Sequence, residues 1–258
     1  MDIYQHFRKE EQPYIDRVLS WKELVERSYQ PVLTDFLDPR EQQIINLLVG
    51  GDDNDLKLNL FGGGNFSERK RAIIVPEYEE VVESDFGIII LQTNYHEKFV
   101  SLSHGDVMGS FLSLGLERKK LGDIIVKDGL VQILLTDDIS TYVVANLTSI
   151  KNTNVNFVSK SIKELVEKEL YWISEDHLVS SMRLDTIIKS IYAISRQTAA
   201  ESISKKLVKV NYRVVDDRSF TVQANDLISF KGKGRSKVEG INGKTKKEKL
   251  KITTSKLK

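Results

Sequence analysis

The side chains best equipped for chemistry in this chain are cations, and they collect towards its C-terminal end. Arg183 opens one short helix with an apolar stripe, and Ser195-Arg196 opens a second. A helix start presents unpaired backbone N–H groups and the positive end of the helix dipole, so it favours anions. Arginine adds a planar fork that bonds phosphate oxygens two at a time. Lys189, Lys205, Lys206, Lys209, Arg213, Lys231, Lys233 and Arg235 follow in the same stretch and supply less directional charge. Gly232 and Gly234 let the backbone approach a ligand closely. Asp185 is acidic, and its expected partner is backbone or a nearby arginine. These residue types point to holding phosphates, not to breaking bonds.

Other chemistries find less support. The chain has no cysteine, which excludes disulfides, thiolate zinc sites and cysteine nucleophiles. Its four histidines (His6, His96, His104 and His177) show no metal-ligand spacing, so neither metal nor cofactor is expected. His104 and Asp106 fall at the start of a helix, where capping or an anion contact outweighs catalysis. Gly62-Gly63-Gly64 lacks the Lys-Ser/Thr that completes a phosphate loop, and a flexible turn is the better reading. The adjoining Arg69, Lys70 and Arg71 suit either a phosphate contact or a solvated strand edge, and both readings stay open.

Charge is distributed unevenly along the chain. Residues 181–258 hold 19 basic and 7 acidic side chains, a net +12, against 19 and 30, a net −11, in residues 1–180. A basic module carried on an acidic body implies a polyanionic partner. No apolar run approaches the ~20 residues of a membrane helix, and MDIYQHFRKEEQ lacks the apolar stretch of a signal peptide. A cytoplasmic monomer without membrane contact is expected.

The elements that carry these residues follow from apolar periodicity. A helix is predicted over 3–29 and another from Asp38-Pro39 to Gly50-Gly51, with Ile44, Ile45, Leu47 and Leu48 inward. Strands are predicted over 55–61 and 71–76. From Gly87 the order is strand (87–95), helix (103–114), two strands (123–126 and 130–136) joined at Lys127-Asp128-Gly129, helix (137–148, with Ile139, Val143, Val144 and Leu147 inward) and strand (154–159). That is the βαββαβ, ferredoxin-like order shared by many RNA-recognition domains, though stacking aromatics on the central strands are sparse. A linker with a bridging helix is predicted over 161–180, carrying Ile162, Leu165, Val166 and Leu170 and ending in a Trp172 packed against a neighbouring domain. Next come the helix pair, strands at 208–215, 220–222 and 226–230, and a terminal hairpin turning at Asn242-Gly243. The fold class is thus α+β and multidomain: 1–80 helical with a small hairpin, 81–160 ferredoxin-like, 161–180 linker, and 181–258 the basic module.

Arg183-Leu184-Asp185, Ser195-Arg196, Ala199, Val208, Val210-Asn211 and Asp226-Leu227-Ile228 together resemble the S4 RNA-binding domain. FGGGNFSERKRAIIVP, SLSHGDVMGSFLSLGLERKKLGDIIV and SFKGKGR extend the resemblance over nearly the whole chain, to the YlmH-type S4 proteins of bacteria. The resemblance implies a central RNA-binding domain, and a non-enzymatic factor that grips structured ribosomal or transfer RNA on the large ribosomal subunit. The implied setting is rescue or quality control of stalled translation. S4 domains also dock RNA-modifying enzymes of the pseudouridine synthase and methyltransferase types, which is the alternative. The chain departs from the S4 pattern at Lys206 and Tyr212, where glycine is usual.

Overall fold

The computed structural model describes all residues except 1–3, 5, 6, 8, 52–54, 167–170, 246 and 258. It divides into two compact units, 1–168 and 169–258. Among the described residues no helix is long and apolar enough to cross a membrane.

The first unit begins with α1 (Gln12–Ser28), β1 (Val32–Leu33) and α2 (Pro39–Val49). Pro13 sits in the first turn of α1, where a missing N–H costs nothing. Asp38 caps α2 by accepting from the N–H groups of Arg40 and Glu41, and Glu41 returns the bond to the Asp38 N–H. Ile44, Ile45 and Leu48 are buried as expected, but Leu47 is exposed. The helices cover a sheet of order β1-β3-β2, in which β2 is Leu56–Phe61 and β3 is Arg71–Pro76. β3 is central and buried throughout, not an edge.

The expected ferredoxin-like topology follows. β4 (Ile88–Asn94), α3 (His104–Ser113), β5 (Leu121–Lys127), β6 (Leu130–Thr136), α4 (Ser140–Asn146), the small hairpin β7 (Ser149–Ile150) and β8 (Thr153–Asn154), and β9 (Val158–Lys160) occur in that order. The antiparallel sheet has the order β5-β6-β4-β9. Val107 and Phe111 of α3 and Val143 of α4 pack with Leu91, Ile133 and Leu135 on one face. Val144 points to solvent instead.

The opposite sheet face is closed as well. Phe36, Ile162, Leu165 and Val166 pack there against Ile90, Ile125 and Leu134. Gln132 is fully buried beneath this strap and donates to the Glu164 carbonyl, while its Oε1 accepts from the Val166 N–H. The three glycines belong to the same closure. A Cβ on Gly63, whose φ is +96°, would stand 2.4 Å from Leu134, and one on Gly62 would stand 2.4 Å from the Arg69 carbonyl. Close packing, not flexibility, is what these glycines provide.

Residues 161–180 correct the linker-helix expectation. Ser161 caps only a single 3-10 turn, Ile162–Glu164. Leu170 lies outside the described residues. Trp172–Val179 is an eight-residue strand, β10, paired along its whole length with the chain's last strand. Trp172 therefore stands opposite Leu257 in a sheet. A pairing across about 80 residues outweighs local periodicity here.

The second unit contains α5 (Leu184–Ile191), α6 (Arg196–Ser204), β11 (Val208–Val210), β12 (Arg213–Val214), β13 (Leu227–Phe230), β14 (Gly234–Lys244) and β15 (Leu250–Leu257). Its six-stranded sheet has the order β10-β15-β14-β13-β11-β12. Leu184, Ile187, Ile188 and Ile191 of α5 and Ala199 and Ile203 of α6 pack onto Val208, Ile228, Val238 and Ile252. Residues 220–222 form no strand; only Thr221 bridges to Arg183. The terminal hairpin is present, but Asn242-Gly243 is a bulge within it, and the hairpin closes where the Thr245 N–H donates to the Lys249 carbonyl.

Lys206 and Tyr212 adopt the left-handed backbone that glycine takes without strain, with φ of 59° and 66°. Each Cβ there costs about 1 kcal/mol. Lys206→Gly and Tyr212→Gly are each expected to raise the unfolding midpoint by a few degrees in a thermal melt. Gly63→Ala should instead destabilise by roughly 2 kcal/mol or more, read from denaturant unfolding.

Candidate nucleic-acid interface

Asp185 anchors the site. Its side chain is 2% exposed, yet it sits in the first turn of α5 at the mouth of a cleft of about 810 Å³. Arg183 donates to it twice, Nε to Oδ1 at 3.1 Å and Nη2 to Oδ2 at 3.0 Å. Arg196, from the first turn of α6, donates Nε to Oδ2 at 3.3 Å. Thr186 donates its hydroxyl to Oδ1 at 3.2 Å. Burial pushes the carboxyl pKa up, but the bonds from Arg183 and then Arg196 outweigh it and hold the group below the usual carboxylate range. A buried charge must be paired, and one carboxylate pairs here with two guanidiniums. The three-residue cluster keeps a net positive charge, and both arginines line the cleft.

Local sequence explains the two helix starts. Ser195 caps α6 through the Thr198 N–H at 3.0 Å. Arg183 precedes α5 without a side-chain cap and is fixed by backbone, because the Leu184 N–H donates to the Phe220 carbonyl at 2.8 Å. The Asp185 N–H donates to the Arg218 carbonyl at 3.3 Å. The loop that makes these bonds brings Arg218 into the cleft beside Arg183, Arg196 and Lys205. Four cations thus face two carboxylates, Asp185 and Glu201, among the lining residues. Arg218 was not legible as a site residue, because its position depends on the long-range bridge between Arg183 and Thr221.

The other expected cations fall into separate groups. Lys206, Lys231 and Lys233 are exposed and cluster at the end of α6, where the Lys231 N–H donates to the Leu207 carbonyl at 2.9 Å. Lys209, Ser229 and Arg235 lie side by side across β11, β13 and β14 on the outer sheet face. Arg213 is exposed on β12 at the sheet edge, and Lys189 is exposed on α5 outside the cleft.

Two arginines of the first unit's basic triplet, Arg69 and Arg71, are architectural. Arg71 is 7% exposed, and it donates Nε to the Thr34 carbonyl at 2.7 Å and Nη1 to the Phe86 and Gly87 carbonyls at 2.6 and 3.0 Å. Burial lowers its pKa. A side chain sealed in this way offers nothing to phosphate, which corrects that expectation. Arg69 spends Nε and Nη2 on the carbonyls of Leu121 and Phe36. Lys70 is half-buried and bridges Leu37. His104 is exposed at the first position of α3. Its neighbour Asp106 accepts from the Ser103 N–H and from Lys151, whose bond is the largest cause lowering its pKa to about 2. That carboxylate is a helix cap and ion-pair partner.

Residues 82–164 match the family model described as "Putative RNA-binding domain in YlmH", and residues 182–228 match the S4 domain. The ribosome-associated protein quality control protein P2 of Bacillus subtilis (strain 168) is 40% identical over 252 residues, 98% of this chain and 97% of that protein. The chain belongs to the YlmH family. A solved structure of the same family, the cell division protein ylmH from Streptococcus pneumoniae, is 31% identical. It covers 64% of this chain and 99% of its own length, with a TM-score of 0.55.

In this YlmH-family chain the Asp185 clamp separates geometry from charge. Asp185→Asn removes a negative charge, yet it is expected to weaken binding to deproteinised ribosomal RNA in a filter-binding titration, because the two arginines lose their common anchor. An affinity gain would show that charge alone governs the cleft. Because the folded pKa is depressed, the stability this carboxylate adds is complete above about pH 4 and is lost as pH falls through the folded value. Acid unfolding of Asp185→Asn should therefore be shallower than that of the parent.

Proposed function

We propose that this chain is a non-enzymatic factor that binds structured ribosomal or transfer RNA. Its proposed site of action is the large ribosomal subunit carrying peptidyl-tRNA, in rescue or quality control of stalled translation. The observation that carries the reading is the pair Arg183 and Arg196, held on one buried carboxylate at the mouth of a basic cleft. Forked donors fixed at two helix starts suit phosphate oxygens. An array of this kind reads the shape of folded RNA more than its sequence. The printed name of the Bacillus subtilis relative, ribosome-associated protein quality control protein P2, supports the ribosomal setting. A cytoplasmic monomer is the proposed working form.

The central domain contributes differently from a base-stacking sheet. The face that would stack bases is closed by Phe36 and by the strap of Ile162, Leu165 and Val166. Phosphate binding is therefore assigned chiefly to the second unit.

The test is sedimentation of the full chain with purified large subunits through a sucrose gradient. The parent protein should travel with the subunit at low salt, and Arg183→Glu/Arg196→Glu should stay at the top. Arg183→Gln/Arg196→Gln, with its melt checked, guards against loss of fold. If about six phosphates are neutralised, log K should fall with log salt at a slope near −4 to −5. Co-sedimentation that survives both double variants would overturn the reading. A nucleotide modification that vanishes with the gene would put an RNA-modifying enzyme in its place.

A further inference from the structure

The β14–β15 hairpin runs past the core of its own domain. Val238, Leu250 and Ile252 pack inward, but among the described residues nothing from 241–249 joins the core cluster. The extension is nevertheless built with care. Asn242 donates to the Thr253 hydroxyl at 2.7 Å, and that hydroxyl donates to Asp176 at 2.6 Å, tying three strands together at its base. Gly243, at φ 101°, and the register shift between Ile241 and Lys244 re-aim the end. The tip closes on itself: the Thr245 N–H donates to the Lys249 carbonyl, the Glu248 N–H to the Thr245 carbonyl, and the Lys249 N–H to the Thr245 hydroxyl.

What this scaffold displays is charge. Lys244, Lys247, Lys249 and Lys251 are exposed, and the acid among them, Glu248, is paired with Lys244 at 2.9 Å. Its position matters too. Val179 of β10 pairs with Leu250, and four residues later the chain reaches Arg183 at the cleft. The tip lies at the opposite end of β14 from the Lys231–Lys233 turn, roughly 33 Å away for eleven residues of strand.

We propose that the lysine-bearing tip of the β14–β15 hairpin is a second RNA-backbone contact, gripping phosphates separate from those held by the α5–α6 cleft. The proposal rests on the RNA-binding reading above. Lysines are compact charges on long stems, suited to tracking a backbone without choosing its bases. A disordered lysine tail could lend charge without any of the bonds that fix this tip. The bonds at Thr245, Glu248 and Lys249 are therefore the sign of a positioned contact.

The experiment uses the full chain and ribosomal RNA extracted from large subunits. Lys247→Gln/Lys249→Gln removes two exposed charges that take no part in the tip's described side-chain bonds. The slope of log K against log salt should become shallower by about 1.4 to 1.8 for the two lost phosphate contacts. Hydroxyl-radical footprinting should lose one protected stretch and keep another, and Arg183→Gln/Arg196→Gln should lose the complementary stretch. An unchanged slope and footprint in the lysine variant, with binding weakened in the arginine variant, would overturn the hairpin contact and leave the cleft intact. Failure of the parent protein to bind the RNA would instead remove the functional reading beneath it. If the lysine variant binds RNA as the parent does but no longer binds anionic phospholipid vesicles, the tip is a membrane contact and the proposal falls.

Discussion

The ion pairing at Asp185 is the constraint from which the rest of the second unit can be understood. Taking a carboxylate out of water is costly, and removing one partner of a buried pair costs several kcal/mol. Here the carboxylate stays charged because Arg183 and Arg196 approach it from two different helices. Those helices can meet only if Ala199 and Ile203 pack against the α5 stripe. The loop at 216–221 must also cap the start of α5 with its carbonyls. Packing, loop and ion pair therefore fix one another. The anchor leaves a cleft lining richer in positive than in negative charge.

The first unit solves an opposite problem. Its four-stranded sheet is apolar on both faces and so needs cover on both. The helices cover one face, and the other is taken by Phe36, the strap and the glycine turn. Phe36 rests on Gly122, where a Cβ would come within 2.7 Å of the ring. Arg71 and Arg69 look on paper like phosphate ligands. They are instead the hydrogen-bond donors that this close backbone packing requires, since a buried carbonyl without a partner is expensive. An arginine beside a glycine run thus has two uses, and burial decides between them.

The same distinction explains what could be read from the sequence. Elements defined by local pattern were legible: the Asp38 and Ser195 caps, the βαββαβ order, and the two helices behind Arg183 and Arg196. Elements defined by distant partners were not. β10 depends on β15, Arg218 depends on the bridge to Thr221, and β1 is a two-residue strand that exists only because β3 lies beside it. Helical spacing also overstated burial. Leu47 and Val144 lie on the expected helices but face solvent, because a short helix packed on one side buries a narrower stripe than its sequence offers. In the second unit the cations were legible by type, but their grouping into a cleft, a helix-end cluster and a sheet row had to come from the strand register.

Order in the cationic surface bears directly on affinity. A lysine side chain loses about 1.5 to 2 kcal/mol of rotamer freedom when fixed, and backbone ordering adds more. A domain that orders its backbone during folding leaves less of that cost to the binding step. Lys206 sits on a left-handed residue that glycine would adopt without strain, and it closes α6 through its N–H to the Ile203 carbonyl. The fold thus accepts about 1 kcal/mol of backbone strain where the side chain is a cation. Relieving that strain with glycine would remove a charge next to Lys205, Lys231 and Lys233. Backbone ease and positive charge therefore pull in opposite directions at this position, and the cation occupies it.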